Sequence, residues 1–277
     1  MLRATVSRSV ILLLLARLIG GCVAEALPTD PDALVPRLVE LLNDPNPHVR
    51  QTAAMALGKI ARPQAVPALV EKLRDPDPGV RHDSAWALGN LGDEVMDQVR
   101  LALVERLGDP SGEVKIAAAQ ALGAMRATPN LLERLTATMR QADVATKRAA
   151  ILALALLEAP ASYPALVEAL RDDDARIRQG AIAALGELAD PRALPLLRDR
   201  LLHDRDIGVR SEAAFRLGKF GDGTVISALK SAAAHDRDGN VRRWALWAAA
   251  QLSGRGGSDS GPRSGPSHAG GLGAECR

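Results

Sequence analysis

The sequence predicts an all-α protein, a right-handed solenoid of about seven helical hairpins, and three observations carry that prediction. A basic residue returns at a near-constant period, a helix-capping residue stands four places before each base, and small apolar residues follow each base at helical spacing. The bases are Arg50, Arg81, Lys115, Lys147, Arg178, Arg210 and Arg242, separated by 31, 34, 32, 31, 32 and 32 residues. So constant a period marks supersecondary units stacked in tandem, each burying its apolar stripe only against its neighbours.

Each unit begins with an apolar segment that reads as a first helix: Leu34 to Leu42, Val66 to Leu73, Val99 to Leu107, Tyr163 to Leu170 and Leu194 to Leu202. A capping residue follows, at Asn46, Asp77, Ser111, Asp143, Asp174, Asp206 and Asp238, whose side chain can accept a hydrogen bond from an unpaired N–H of the next helix's first turn. Pro47 and Pro78 sit directly after two of these caps, where a missing N–H costs nothing. The second helix then presents Val49, Val80, Val114, Thr146, Ile177, Val209 or Val241 just before the base. Ala53, Ala54 and Leu57 continue that face in the first copy. Leu-Gly recurs at one place, at Leu57-Gly58, Leu88-Gly89, Leu122-Gly123, Leu185-Gly186 and Leu217-Gly218, where the missing side chain permits close helix approach; Leu154-Ala155 and Ala249-Ala250 are the exceptions. The hairpins are placed at 31–61, 63–92, 95–127, 129–159, 161–189, 191–221 and 222–253.

This pattern resembles the HEAT repeat, and within it the subtype described in phycobilisome lyases, whose consensus runs close to D-P-x-x-x-V-R-x-x-A-A-x-A-L-G. The match is carried by Asp44-Pro45 through Leu57-Gly58, Asp75-Pro76 through Leu88-Gly89 and Asp109-Pro110 through Leu122-Gly123, with weaker copies after them. It covers about residues 31 to 253 and departs most in the fourth copy, where Gln141 replaces the usual Asp and Lys147 to Leu157 is apolar nearly all round. The resemblance implies the fold. It leaves the activity open, because the same solenoid carries enzymes, chaperones and adaptors.

Aromatic residues make up only 2% of the 277 residues against 47% apolar, so the helix interfaces must close over Ala and Leu. Both ends differ from the repeats. Residues 1–26 carry Arg3 and Arg8, an apolar run from Val10 to Ala16, and then Arg17 through Cys22, an arrangement that resembles an export signal and is too short to span a bilayer. Ile19-Gly20-Gly21-Cys22 resembles a lipoprotein cleavage box that would leave Cys22 lipidated and attached to a membrane; cleavage after Ala26 is the alternative. Export to the periplasm or cell envelope is the expected location, with the cytoplasm as alternative. Residues 254–277 are mostly Gly, Ser and Pro and are expected to stay disordered. Cys22 and Cys276 both lie outside the repeats, which therefore need no disulfide.

The net charge is +2, but Arg3, Arg8 and Arg17 in the leader and Arg255, Arg263 and Arg277 in the tail outweigh the acids there, leaving the repeats at −1. Nucleic acid is not an expected partner. An Asp stands six residues before six of the bases, at Asp44, Asp75, Asp109, Asp172, Asp204 and Asp236, so acids and bases are expected to form a ladder between adjacent repeats.

Motifs for chemistry are missing: there is no His-Glu-x-x-His, Cys-x-x-Cys, Gly-x-Ser-x-Gly, phosphate loop or dinucleotide fingerprint. The stretch from Arg81 to Gly89 resembles the metal-binding repeats of deoxyhypusine hydroxylase, which imply two irons held by several His-Glu pairs; here the pair occurs once, as His82-Asp83. Equivalent positions read Gln51-Thr52, Ile116-Ala117, Arg148-Ala149, Gln179-Gly180, Ser211-Glu212 and Arg243-Trp244, so no metal, cofactor or catalytic residue is assigned. His203-Asp204 and His235-Asp236 read as solvated turns.

The side chains five places after each base point away from the stacking seam and are expected to line a concave face: Met55, Trp86, Gln120, Leu152, Ala183, Phe215 and Trp247. Aromatic groups in such a groove anchor extended peptides or partner helices. Met55, His82, Trp86, Leu152, Phe215, Trp244 and Trp247 are the candidate partner-binding residues. Trp244 and Trp247 could equally cover an exposed last repeat, and Trp86 could pack on a neighbouring helix. The expected function is a non-catalytic scaffold or adaptor binding a protein or peptide. The resemblance implies two alternatives, a bilin lyase or tetrapyrrole chaperone and a metal-dependent oxidoreductase.

Overall fold

Helix formation in this chain starts at its caps. In the computed structural model, which describes residues 31–91 and 97–254, Asp77 accepts a hydrogen bond from the Val80 N–H at 3.1 Å and Asp206 from the Val209 N–H at 3.0 Å. Asn46 accepts from His48 at 3.0 Å, Asp174 from Arg176 at 2.8 Å and Asp238 from Asn240 at 2.8 Å. Asp143 serves two donors, the N–H groups of Ala145 and Thr146. Ser111 occupies the cap position of its helix but its side chain makes no capping bond. There the turn is held from the other direction, by Asp109 accepting the Ser111 N–H at 2.9 Å.

The described residues form fourteen α-helices. They fall into two compact units, the first ending at Leu131 and the second starting at Leu132. The first holds α1 (Pro31–Leu41), α2 (Pro47–Ile60), α3 (Val66–Lys72), α4 (Pro78–Asn90), α5 (Asp97–Arg106) and α6 (Gly112–Gly123). Helix α7 (Pro129–Gln141) runs across the division. The second unit continues with α8 (Val144–Leu156), α9 (Tyr163–Ala169), α10 (Ala175–Leu188), α11 (Leu194–His203), α12 (Ile207–Phe220), α13 (Ile226–His235) and α14 (Gly239–Gly254). Short 3-10 turns, Pro63–Ala65, Pro160–Ser162, Pro191–Ala193 and Gly223–Val225, lead into α3, α9, α11 and α13.

Within the first unit α1 packs on α2, α3 on α4 and α5 on α6, and the second helices α2, α4 and α6 pack in succession. In the second unit α9 packs on α10, α11 on α12 and α13 on α14, while α8, α10, α12 and α14 form the corresponding row. Second helices can lie this close because the residue at the crossing is small. A Cβ on Gly58 of α2 would stand 2.7 Å from the Ala87 Cα of α4, and one on Gly218 of α12 would stand 2.8 Å from the Ala248 Cα of α14. Leucines fill the space between the two layers. Leu38, Leu57, Leu69, Leu88 and Leu103 in the first unit and Leu154, Leu185, Leu197, Leu217 and Leu229 in the second are completely buried, each contributing about 1.5–3 kcal/mol of apolar burial.

The expected leader, residues 1–26 with Cys22, and all of the expected tail after Gly254 lie outside the described residues. Among those described, no helix is long and apolar enough to cross a membrane.

Candidate interaction face

The repeat register sorts the second-helix side chains into rows with different surroundings. At the base itself, the expected ladder is present in both units. Arg50 grips Asp75 through Nε and Nη2 at 2.8 and 2.7 Å, and Arg81 grips Asp109 at 2.8 and 2.8 Å. In the second unit Arg178 grips Asp204 at 2.9 and 2.8 Å, and Arg210 grips Asp236 at 2.8 and 3.1 Å. Lys147 reaches Asp172 through a single contact of 2.7 Å, as a point charge must. Each arginine also turns Nη1 back onto carbonyls of its own inter-helix turn, as Arg81 does to Asp75 O at 2.9 Å. One guanidinium thus joins its own turn to the next.

This geometry fixes the charge states. Burial alone would push the Asp109 carboxyl up, but Arg81, the Ser111 N–H and Arg106 outweigh it and hold the group below its ordinary range. Asp75, Asp172, Asp204 and Asp236 are depressed by the same balance. Arg50, Arg81, Lys147, Arg178 and Arg210 are therefore consumed by structure and offer no row of free cations to an anionic ligand.

Five places after the base the row is different. Met55 and Trp86 in the first unit and Leu152, Phe215 and Trp247 in the second are all half-buried, so large apolar side chains keep part of their surface in water. Ala183 in this row is buried and Gln120 exposed. The two tryptophans pack over the glycines of the preceding second helix: a Cβ on Gly58 would lie 2.8 Å from Trp86 Cζ3, and one on Gly218 would lie 2.8 Å from Trp247 Cζ3. Trp86 keeps part of its surface exposed; Trp247 does too, but its Nε1 is buried and has no hydrogen-bond partner among the described residues.

In the second unit three aromatic rings gather. Phe215 stacks on Trp247 with centroids 5.7 Å apart and planes at 19°, and Trp244 meets both edge-on, at 5.3 Å from Phe215 and 5.5 Å from Trp247. Trp244 is only 6% exposed, because the position two after the base turns into the packing between α12 and α14. It supports the cluster from beneath and does not stand in the open row. Arg216 and Lys219 flank Phe215 at 5.3 and 5.7 Å from its ring. The row reading did not single these cations out, although Lys219 lies on the same helical face one turn after Phe215.

His82 Nδ1 lies 2.7 Å from Asp83 Oδ1. That hydrogen bond raises the imidazole above its ordinary value of 6.5 against the lowering effect of partial burial. Asp83 is buried, and its other oxygen, Oδ2, has no hydrogen-bond partner among the described residues. No group of three or more His, Cys, Asp and Glu side chains that could hold a metal ion occurs among the described residues. Met55, His82 and Trp86 belong to the first unit and Leu152, Phe215, Trp244 and Trp247 to the second.

Comparison with known proteins agrees with the repeat architecture. The family model of HEAT repeats matches residues 35–123, 66–145, 99–186, 131–214 and 199–261. No curated protein sequence matches the chain. Among solved structures, human deoxyhypusine hydroxylase in complex with glycerol is 23% identical, with 88% of this chain and 89% of that one covered and a TM-score of 0.41. The CpcE–CpcF complex of phycocyanin lyase from Nostoc sp. PCC7120 is 24% identical, with coverages of 83% and 91% and a TM-score of 0.44. The Escherichia coli protein YibA is 21% identical, with coverages of 82% and 85% and a TM-score of 0.49.

Proposed function

The chain belongs to the HEAT-repeat family, and from that premise we propose that it is a non-catalytic scaffold holding a protein or peptide partner against the side chains five places after the bases within each unit. The observation that carries this reading is the half-buried state of Met55, Trp86, Leu152, Phe215 and Trp247. A solvated helix face gains nothing from large apolar groups, whereas an interface does: tryptophan brings much contact area for little lost rotamer freedom. These side chains are already fixed by their packing, so a partner would not have to order them on binding.

Site-specific photocrosslinking in the native host tests the reading. A photoreactive residue at Met55 or Leu152 should yield a discrete adduct that Trp86→Ala or Phe215→Ala diminishes, while the same group at the exposed first-helix position Arg198 yields none. Equal adducts at all positions would remove the face from consideration. A bilin that shifts its absorbance on mixing, or iron retained stoichiometrically through purification, would replace the scaffold reading by a tetrapyrrole-handling or an oxidoreductase one. The same proposal takes the protein to the cell envelope, through a lipidated Cys22 or cleavage after Ala26. The intact mass of the mature chain distinguishes these.

A further inference from the structure

A stack of like repeats ends in two unlike faces, and among the described residues nothing covers either. Within each unit the residue four places after the base faces the following repeat, and Ala54, Ala85, Ile151, Ile182 and Ala214 are all completely buried there. Leu246, the seventh member of that row, is 65% exposed. Arg242 is likewise exposed, whereas Arg81, Arg178 and Arg210 at the same register are buried. Its Nη1 reaches Asp236 O at 2.7 Å, as the other arginines do in their own turns. The half of the guanidinium that would grip the next repeat's Asp has no carboxylate partner among the described residues. Between α13 and α14 an open hollow of about 510 Å³ is bordered by Gly239, Arg242, Arg243 and Leu246.

The opposite end shows the complementary halves. Val49, just before the first base, is half-buried, while Val80, Val114, Val209 and Val241 are 0% exposed beneath the repeat that precedes them. Asp44 stands where Asp75, Asp109, Asp172, Asp204 and Asp236 each receive a base from the preceding repeat. Its carboxylate accepts the Asn46 N–H at 2.8 Å and meets no Lys or Arg among the described residues.

We propose that these faces are the two halves of one head-to-tail interface, so that α14 of one copy docks on α2 of a second and Arg242 grips the second copy's Asp44. The chemistry is already demonstrated inside each unit, where an Arg with an apolar residue four places on meets an Asp with a valine five places on. Leu246 would take the position of Ala85 or Ala214, and Val49 that of Val80. An interface between unlike faces does not pair the same patch with itself, so association continues beyond a dimer unless the rotation happens to close a ring.

Sedimentation of the full chain over a range reaching near-millimolar concentration tests this. Wild type should give a series of oligomers whose average mass rises with concentration. Asp44→Lys and Arg242→Asp should each weaken association by about tenfold or more. Both sites lie at the open ends, so circular dichroism should match wild type. Mixing the two variants brings the Arg242 end of the first to the Asp44 end of the second and their two substituted ends, now of opposite charge, to each other, and should restore a series in which the two variants alternate. The double variant Asp44→Lys/Arg242→Asp should regain the series with the charges exchanged. A wild-type chain monomeric at every concentration, whether its α14 face is covered by residues 255–277 or by nothing, overturns the proposal. So do single variants that associate as wild type does, or a mixture that associates no better than either variant alone.

Discussion

Arg81 and Asp109 meet through two parallel hydrogen bonds of 2.8 Å, one hairpin apart, with the aspartate side chain wholly buried. The same carboxylate also holds the Ser111 N–H at 2.9 Å. A single Asp therefore closes its own turn and receives the preceding repeat's arginine, while that arginine's Nη1 ties down the turn behind it. Electrostatics here fixes the spacing of repeats, and the Ala-rich seam supplies the apolar contact.

Removing one partner of this pair should be costly, because it strands a desolvated charge. Arg81→Ala or Asp109→Ala should each lower stability by about 3 kcal/mol, and the double variant by clearly less than the sum. Arg81→Lys should fall between, since an ammonium cannot reproduce the two-point grip; Lys147 with its single contact to Asp172 is the natural example. Urea unfolding of the four proteins supplies the cycle, and additivity would show that the two charges are not coupled.

Acid should dissolve the ladder in a predictable window. Asp75, Asp109, Asp172, Asp204 and Asp236 are all held below their ordinary value of 3.8 in the fold. A depressed folded pKa means that the stabilisation is complete above 3.8 and is lost as pH falls through and below it, because the unfolded chain takes up protons first. Stability should thus rise slightly as His82, whose pKa is raised in the fold, takes up its proton towards pH 6.5, hold to about pH 5 and then drop steeply. Asp109→Asn should start less stable and show a shallower acid slope. A wild-type urea midpoint unchanged between pH 5 and pH 3 would contradict this.

Close helix approach gives a third expectation. In an exposed helix Gly→Ala is favourable by about 1 kcal/mol, but at Gly58 the added carbon would stand 2.7 Å from Ala87 Cα and 2.8 Å from Trp86 Cζ3. Backbone cannot yield there as a flexible side chain would, so Gly58→Ala should destabilise by about 1–3 kcal/mol. Gly218→Ala meets the same obstacle in Ala248 and Trp247 and should behave alike. A melting temperature at or above wild type for both would mean that the second helices can separate without loss.

The hairpins and the ladder were legible in the sequence because each rests on short-range rules that repeat: a cap, a base four residues on, an acid six residues before it. Repetition turned weak local signals into a register. Ser111 shows the limit, since a hydroxyl at the cap position need not make the capping bond. The candidate face was legible only as a row. Whether a tryptophan in or near that row is open or covered depends on the rotation of one helix against the next, which separates Trp247, half-buried, from Trp244, enclosed three residues earlier. The division after Leu131 falls in the fourth copy, the one that departs most from the repeat pattern, with Gln141 where the others have Asp.

That separation of neighbouring tryptophans can be measured. Trp244 is enclosed by Phe215 and Trp247 at 5.3 and 5.5 Å, with only 6% of its surface exposed, so Trp244→Ala removes a supporting ring and leaves a cavity between α12 and α14. The loss should be about 3–5 kcal/mol. Trp86→Ala takes away an indole that packs on Gly58 but keeps part of its surface exposed, and the loss should be nearer 1–2 kcal/mol, with helical content retained. Iodide quenching of single-tryptophan proteins provides an independent reading: Trp86 should be quenched readily and Trp244 hardly at all. If Trp86 proved as protected and as costly to remove as Trp244, it would belong to the stacking interface, and the row available to a partner would shrink to Met55, Leu152, Phe215 and Trp247.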